Sequence, residues 1–178
     1  MNLWHDISIG KDAPEEFNCI IEVPKGSHNK YEIDKETGLI KLDRVNYGAA
    51  AYAFDYGFVP QTLWEDGDAL DVILLTTYPL NPGILVNVRP VALMEMTDTG
   101  ESDNKIIAVP ADDRRWDDVK DLADINKHNL KEFKDFFENL KNLKGKPAVV
   151  TVHDFKEKSE ALKAIKHSQE LYKAKFSK

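Results

Sequence analysis

The chain has 178 residues with 24 Lys or Arg against 31 Asp or Glu, a formal charge of -7. That length can bury a core without disulfides or structural metals, and the acidic balance argues against nonspecific binding to nucleic acid or anionic membrane. No apolar run approaches the roughly 20 residues of a membrane span, the start Met1-Asn2-Leu3-Trp4-His5-Asp6 lacks the regions of a signal peptide, and the single Cys19 cannot form an internal disulfide, so one cytoplasmic domain over 1–178 is expected.

In chain order, strands are predicted at Phe17 to Val23, Lys30 to Asp34, Leu39 to Val45, Leu70 to Leu75, Ile84 to Met96 and Lys105 to Val109. Turn signals separate them at Pro24-Lys25-Gly26-Ser27, Thr37-Gly38, Asn81-Pro82-Gly83 and Thr99-Gly100-Glu101-Ser102, at intervals suited to antiparallel connections. A small closed or nearly closed barrel follows. Beyond Pro110, Leu130, Phe133, Phe136, Phe137, Leu140 and Leu143 recur at helical spacing over Asn126 to Leu143, and Gly145-Lys146-Pro147 leads into a strand at Ala148 to Val152. A last helix spans about Lys158 to Phe176, with Leu162, Ile165, Tyr172 and Phe176 as its apolar stripe and its lysines on a solvated face. The fold class is α+β, a barrel with helices packed outside.

Alternation along the strands sorts the charges by face. Glu22 shares a side with Ile20; Lys30, Glu32 and Asp34 share one side of their strand; Ile40, Leu42 and Arg44 fall together on theirs. Each charge alone reads as an ordinary rim ion pair, but an apolar face ending in arginine suggests that several strands direct charge into one polar cavity. Tyr52 and Tyr56 in "YAFDYG" suit packing at least as well as ligand contact.

Trp64 to Leu75, "WEDGDALDVILL", sets Asp66, Asp68 and Asp71 before the run Val72-Ile73-Leu74-Leu75. On a helix these positions would fan around the axis, so they converge only from a loop entering a strand. Gly67 allows that turn. Converging carboxylates repel unless a cation sits among them. The five histidines are scattered, so hard oxygen ligands favour magnesium, manganese or calcium over zinc. A calcium-binding EF-hand loop counted from Asp66 fails, with Leu70 at position 5, Asp71 at position 6 and Thr77 at position 12. Asp98, Asp103 and Lys105 flank a second turn in "MTDTGESDNK", and no Walker loop implies a nucleotide.

From about Pro14 to Lys141 the sequence resembles the soluble inorganic pyrophosphatases of the magnesium-dependent, single-domain, short prokaryotic type. "DGDALD" matches the three-aspartate signature, and "IIEVPKGS", "NKYEIDK", "LDRV", "FDYGFVPQT", "VRPVAL" and "MTDTGESDNKIIAVP" occur in the family order. The resemblance implies a five-stranded OB-like β-barrel with additional strands, and hydrolysis of pyrophosphate to two orthophosphates with several Mg2+ ions, Mn2+ being a possible substitute. It implies Asp68 as general base, Asp66, Asp71, Asp98 and Asp103 as metal ligands, and Glu22 and Glu32 acting through water. Lys30, Arg44, Tyr56, Lys105 and Lys141 would contact phosphate, and the assembly would be a homohexamer. Leu140 stands where a tyrosine is usual beside Lys141, Ala53 where a proline is usual, and "VHDF" where glycine-tryptophan is common. A catalytically weakened phosphate- or metal-binding relative is therefore the alternative.

Overall fold

The computed structural model describes residues 1–146 and 148–176, so Pro147 of the predicted turn and the final Ser177 and Lys178 lie outside the described residues. Among the described residues nine strands occur: β1 Phe17–Val23, β2 Asn29–Ile33, β3 Ile40–Val45, β4 Asp55–Phe58, β5 Asp71–Leu74, β6 Leu85–Asp98, β7 Glu101–Ser102, β8 Lys105–Pro110 and β9 Val150–Glu157. Two α-helices follow the barrel strands, α1 Lys127–Asn139 and α2 Lys158–Phe176.

The fold is α+β, and five strands close its ring. β1 pairs with β4, β4 with β5, β5 with β8, β8 with β6, and β6 returns to β1. Closure removes the exposed strand edges that an open sheet would leave. The 14-residue β6 makes this possible by engaging successive partners: Leu85 to Val88 meet β1, Val88 to Met94 meet β8, and Ala92 to Asp98 meet β9. Register shifts between Pro90 and Ala92, where proline offers no N–H to the ladder. The hairpin β2–β3 forms its own two-stranded sheet.

Some expected features differ. β5 and β8 run parallel, since the long β6 carries the chain back across the barrel before β8 begins. The short strands β4 and β7 escaped notice because "DYGF" and "ES" are too brief to display a period. Helix α1 stops at Asn139, leaving Leu143 exposed, and β9 runs five residues past the expected Val152. In α2 the buried face is Ala161, Ala164, Ile165 and Ser168, so of the predicted stripe Ile165 is buried while Leu162, Tyr172 and Phe176 give way to small side chains that let the helix approach the sheet closely. Leu42 is exposed, so the outer face of β3 is no apolar wall.

Alternation along β5 and β8 divides the main packing. Ile73 and Ile107 join the aromatic cluster under α1 with Phe54, Phe133, Phe136 and Phe137. Val72, Leu74, Ile106 and Ala108 join Phe17, Cys19 and the small residues of α2. Cys19 is fully buried, as a structural thiol should be.

The tightest approach lies between β1 and β4, where a Cβ on Gly57 would stand 2.0 Å from the Ile20 carbonyl oxygen. Backbone cannot yield there without parting the barrel. Gly57→Ala is expected to destabilise the protein by about 2–4 kcal/mol, whereas Gly26→Ala, which meets open space at φ +87°, should cost only about 1 kcal/mol. Urea melts of the two variants measure the difference, and equal losses would mean that β1 moves aside freely.

Candidate active site

The site begins in the turn before β5. The Trp64 N–H donates to the Asp68 carbonyl at 2.7 Å and the Gly67 N–H to the Trp64 carbonyl at 3.0 Å, with Gly67 at φ +88°. The Asp66 carboxylate accepts the Asp68 N–H at 3.0 Å. This tight turn brings Asp66 and Asp68 beside Asp71, the first residue of β5. Asp71 stands opposite Lys105 across the parallel β5–β8 pair. The Lys105 ammonium donates to Asp71 at 2.7 Å and to Asp103 at 2.5 Å. From β4, the Tyr56 hydroxyl donates to the same Asp71 oxygen, Oδ2, that accepts from Lys105.

Three further elements complete the walls. Glu22 of β1 accepts the Ile33 N–H at 2.7 Å and so ties the β2–β3 hairpin to the barrel. The hairpin carries Lys30, paired with Glu32, and Arg44, whose Nη1 donates to Asp43 at 2.5 Å. Asp98 at the end of β6 pairs with Lys141 beyond α1. All twelve residues singled out in the sequence line one cavity of about 220 Å³. Asp34 does not join them: β2 has already ended, and its carboxylate accepts from Thr37 in the hairpin turn and from Lys41 of β3.

Sequence reasoning left Tyr52 open between packing and ligand contact and missed Lys35, as well as Asp43, which stands behind the lining as a partner of Arg44 and Lys30. Tyr52 lines the cavity and also packs on Phe136 at 4.7 Å, so packing and lining are compatible. Lys35 reaches the cavity because the chain turns after Ile33, which defeats simple alternation. Asp55 was also missed: fully buried, it accepts N–H groups from Lys25 and Leu80 and the Thr76 hydroxyl, fastening loops behind β4. Leu140 both lines the cavity and belongs to the cluster with Phe133, Phe136 and Phe137. Ala53 is exposed, and Phe155 of "VHDF" packs against the same cluster as Leu140.

The electrostatics are under tension. Burial pushes Glu22 up to about 8, with Asp71 adding to it. Burial pushes Asp66 up to about 6. It likewise raises Asp103, although Lys105 opposes the rise. Burial alone would pull Lys105 down, but Asp71 and Asp103 outweigh it and hold the ammonium above its ordinary value. For Asp98, burial is overcome by Lys141, which keeps the carboxyl low.

Among the described residues no three acidic, histidine or cysteine side chains converge closely enough to hold an ion by themselves. Lysines occupy that space: Lys105 lies between Asp71 and Asp103, Lys141 against Asp98 and Lys35 against Asp68. The donor set still fits magnesium, which keeps several waters and binds through one or two carboxylates together with substrate phosphates. An all-oxygen set with raised carboxyl pKa values is one that a divalent cation would relieve.

Comparison with known proteins places the chain in one family. The sequence model described as "Inorganic pyrophosphatase" matches residues 19–173. The chain is 47% identical over 171 residues to the soluble inorganic pyrophosphatase of Oryza sativa subsp. indica, covering 96% of this chain and 79% of that protein. It is also 47% identical to the soluble inorganic pyrophosphatase of Zea mays, covering 95% of this chain and 78% of the other. The crystal structure of inorganic pyrophosphatase from Thermus thermophilus superposes with a TM-score of 0.93 at 44% identity, covering 97% of this chain and 99% of that one.

The raised Glu22 gives a signed pH dependence. Folding favours its protonated form, so the stabilisation is fully present below about pH 4 and is lost as the pH climbs toward 8. In chelator, the wild-type melting temperature should fall between pH 5 and 8.5 more steeply than that of Glu22→Gln, whose amide oxygen can still accept from Ile33. Parallel curves would show that Glu22 is ionised throughout.

Proposed function

This chain belongs to the inorganic pyrophosphatase family, and we propose that it hydrolyses pyrophosphate to two orthophosphates in the cavity lined by the "DGDALD" turn. The observation that carries this reading is the gathering of seven carboxylates and five cationic side chains around one small cavity. Such a lining suits a polyanion accompanied by metal ions, and against the weakened alternative it keeps every expected carboxylate and cation in place, the tyrosine hydroxyl that Leu140 lacks being the one group absent. The family is one of divalent-metal enzymes, and magnesium is the ion this oxygen-only donor set favours.

Asp66, Asp71 and Asp103 would hold activating magnesium, Asp98 with Asp103 the metal that arrives with substrate, and Glu22 and Glu32 would act through intervening water. When bound, magnesium neutralises phosphate oxygens and makes a neighbouring water more acidic. The Asp68 carboxylate accepts a proton as the water oxygen attacks one phosphorus; the bridging P–O bond breaks, and the bridging oxygen departs with the second phosphate. Lys30, Arg44, Lys105 and Lys141 bind the phosphate oxygens and stabilise the charge that develops on them. Arg44 is prepared for this: its Nε is buried and has no protein partner. The Tyr56 hydroxyl serves Asp71 in the free protein and turns to phosphate when that carboxylate is otherwise engaged.

The remaining family traits belong to the same proposal. One domain over 1–178 is supported by the continuous seven-stranded sheet, while a homohexameric assembly and a cytoplasmic setting rest on the family resemblance. Among the described residues no helix is long and apolar enough to cross a membrane.

Phosphate release from magnesium pyrophosphate tests the function directly: turnover should require magnesium, and continued full turnover in excess chelator would refute the reading. Millimolar calcium should inhibit, since its longer, looser coordination misplaces the reacting water.

Two substitutions separate the assigned roles. Asp68→Asn should lower kcat by roughly 10²- to 10⁴-fold with the fold retained, because an amide cannot accept the proton. Arg44→Ala should lower kcat by about 10²-fold, as for loss of one donor to developing charge. Circular dichroism and steady-state phosphate release check both; near-normal turnover in Arg44→Ala would return that residue to the rim.

A further inference from the structure

Asp71 and Asp103 are held by the buried Lys105 and Asp98 by the partly buried Lys141, whereas Asp68 stands beside an exposed cation. Its turn fixes its backbone, yet its side chain is half exposed. Among the described residues its carboxylate has one side-chain partner, the ammonium of Lys35. Lys35 follows the end of β2 and, as a long exposed side chain, would ordinarily sample many rotamers.

It does not lie free, because its ammonium stands 5.5 Å from the centroid of the Trp4 ring. Trp4 is a fixed platform. The residue is only 4% exposed, its indole N–H donates to the Thr62 carbonyl at 2.7 Å, and its carbonyl accepts the Gln61 N–H at 2.8 Å. The ring also stacks on His5 at 4.6 Å, and His5 Nδ1 meets the Tyr172 hydroxyl of α2 at 2.8 Å. From the other side, a Cβ on Gly38 would stand 3.0 Å from the Met1 carbonyl oxygen, so the amino-terminal segment also rests on the hairpin that bears Lys35. Indole, ammonium and carboxylate thus form a relay from a rigid aromatic anchor to the turn carrying Asp68.

We propose that Lys35 is a positioning residue for hydrolysis: seated on the Trp4 indole, its ammonium sets the orientation of the Asp68 carboxylate toward the water from which it takes a proton. This inference rests on Asp68 as the general base. Lys35 acts through Asp68 and makes no phosphate contact of its own, so its loss should reach kcat and spare KM. An exposed ion pair adds little to stability, so the fold should not notice it.

The test uses Lys35→Met and Lys35→Arg in the full chain. Lys35→Met should lower kcat about three- to fivefold, in line with the usual worth of an exposed ion pair, with KM for magnesium pyrophosphate within about twofold and the melting temperature unchanged. Lys35→Arg should restore most of the loss. On an Asp68→Asn background, Lys35→Met should cause no further loss. In metal-free protein, the indole N–H resonance of Trp4, assigned by Trp4→Phe, should shift in Lys35→Met. Wild-type kcat in Lys35→Met, a raised KM with kcat intact, or an unmoved indole signal overturns the proposal. If instead Asp68→Asn keeps near-normal turnover, the assignment of the base is at fault, and this inference falls with it.

Discussion

A lysine ammonium buried to 2% exposure between two carboxylates is the constraint around which the cavity is arranged. An unpaired charge at that depth would be prohibitive, so Lys105 demands Asp71 and Asp103 as partners. Meeting that demand couples the parallel pair β5–β8 to the segment between β7 and β8. Asp71 extends the coupling to β4 by accepting from Tyr56. The Lys105 ammonium also lies 5.8 Å from the ring centroids of Tyr56 and Phe137, which brings α1 into the same cluster.

The closed barrel explains why groups so distant in sequence meet. Each strand around the ring contributes at one end: Glu22 from β1, Tyr56 from β4, Asp71 from β5, Asp98 from β6 and Lys105 from β8. A register shift between Ile21 and Val23 gives Glu22 its place in the otherwise apolar β1, Gly57 lets β4 lie against Ile20 of β1, and Tyr56 beside it reaches across to Asp71 of β5. The hairpin then covers the opening with charges of both signs, held down by Glu22 and by the Trp4 segment.

Seven carboxylates against five cations leave the cavity acidic, and burial makes that imbalance costly. Glu22 and Asp66 record the cost as raised pKa values, while the lysines fold inward as internal counter-ions. Divalent cations and a phosphate polyanion would redistribute these pairs: the ions take the carboxylates, and the released lysines take the phosphates. The same residues thereby serve the free protein and the loaded one, with the ion pairs of the first supplying the ligands of the second.

Much of this was legible before any coordinates. "DGDALDVILL" already required a loop entering a buried strand, because three aspartates at that spacing cannot share a helix face. The charged faces of β2 and β3 and most of the apolar stripe of α1 could likewise be read from period, whereas the twelve residues that line the cavity were picked out as a set only through the resemblance to the family's motifs. The tertiary structure alone decided which carboxylate holds which lysine, the parallel pairing of β5 with β8, the small-residue face of α2, and the placing of Lys35 on Trp4 beside Asp68. The reason is one of range. Alternation and helical spacing are local properties of the backbone and are written in adjacent residues, whereas burial, ion pairing and strand order depend on contacts between segments whose separation in sequence carries no information about their distance in space.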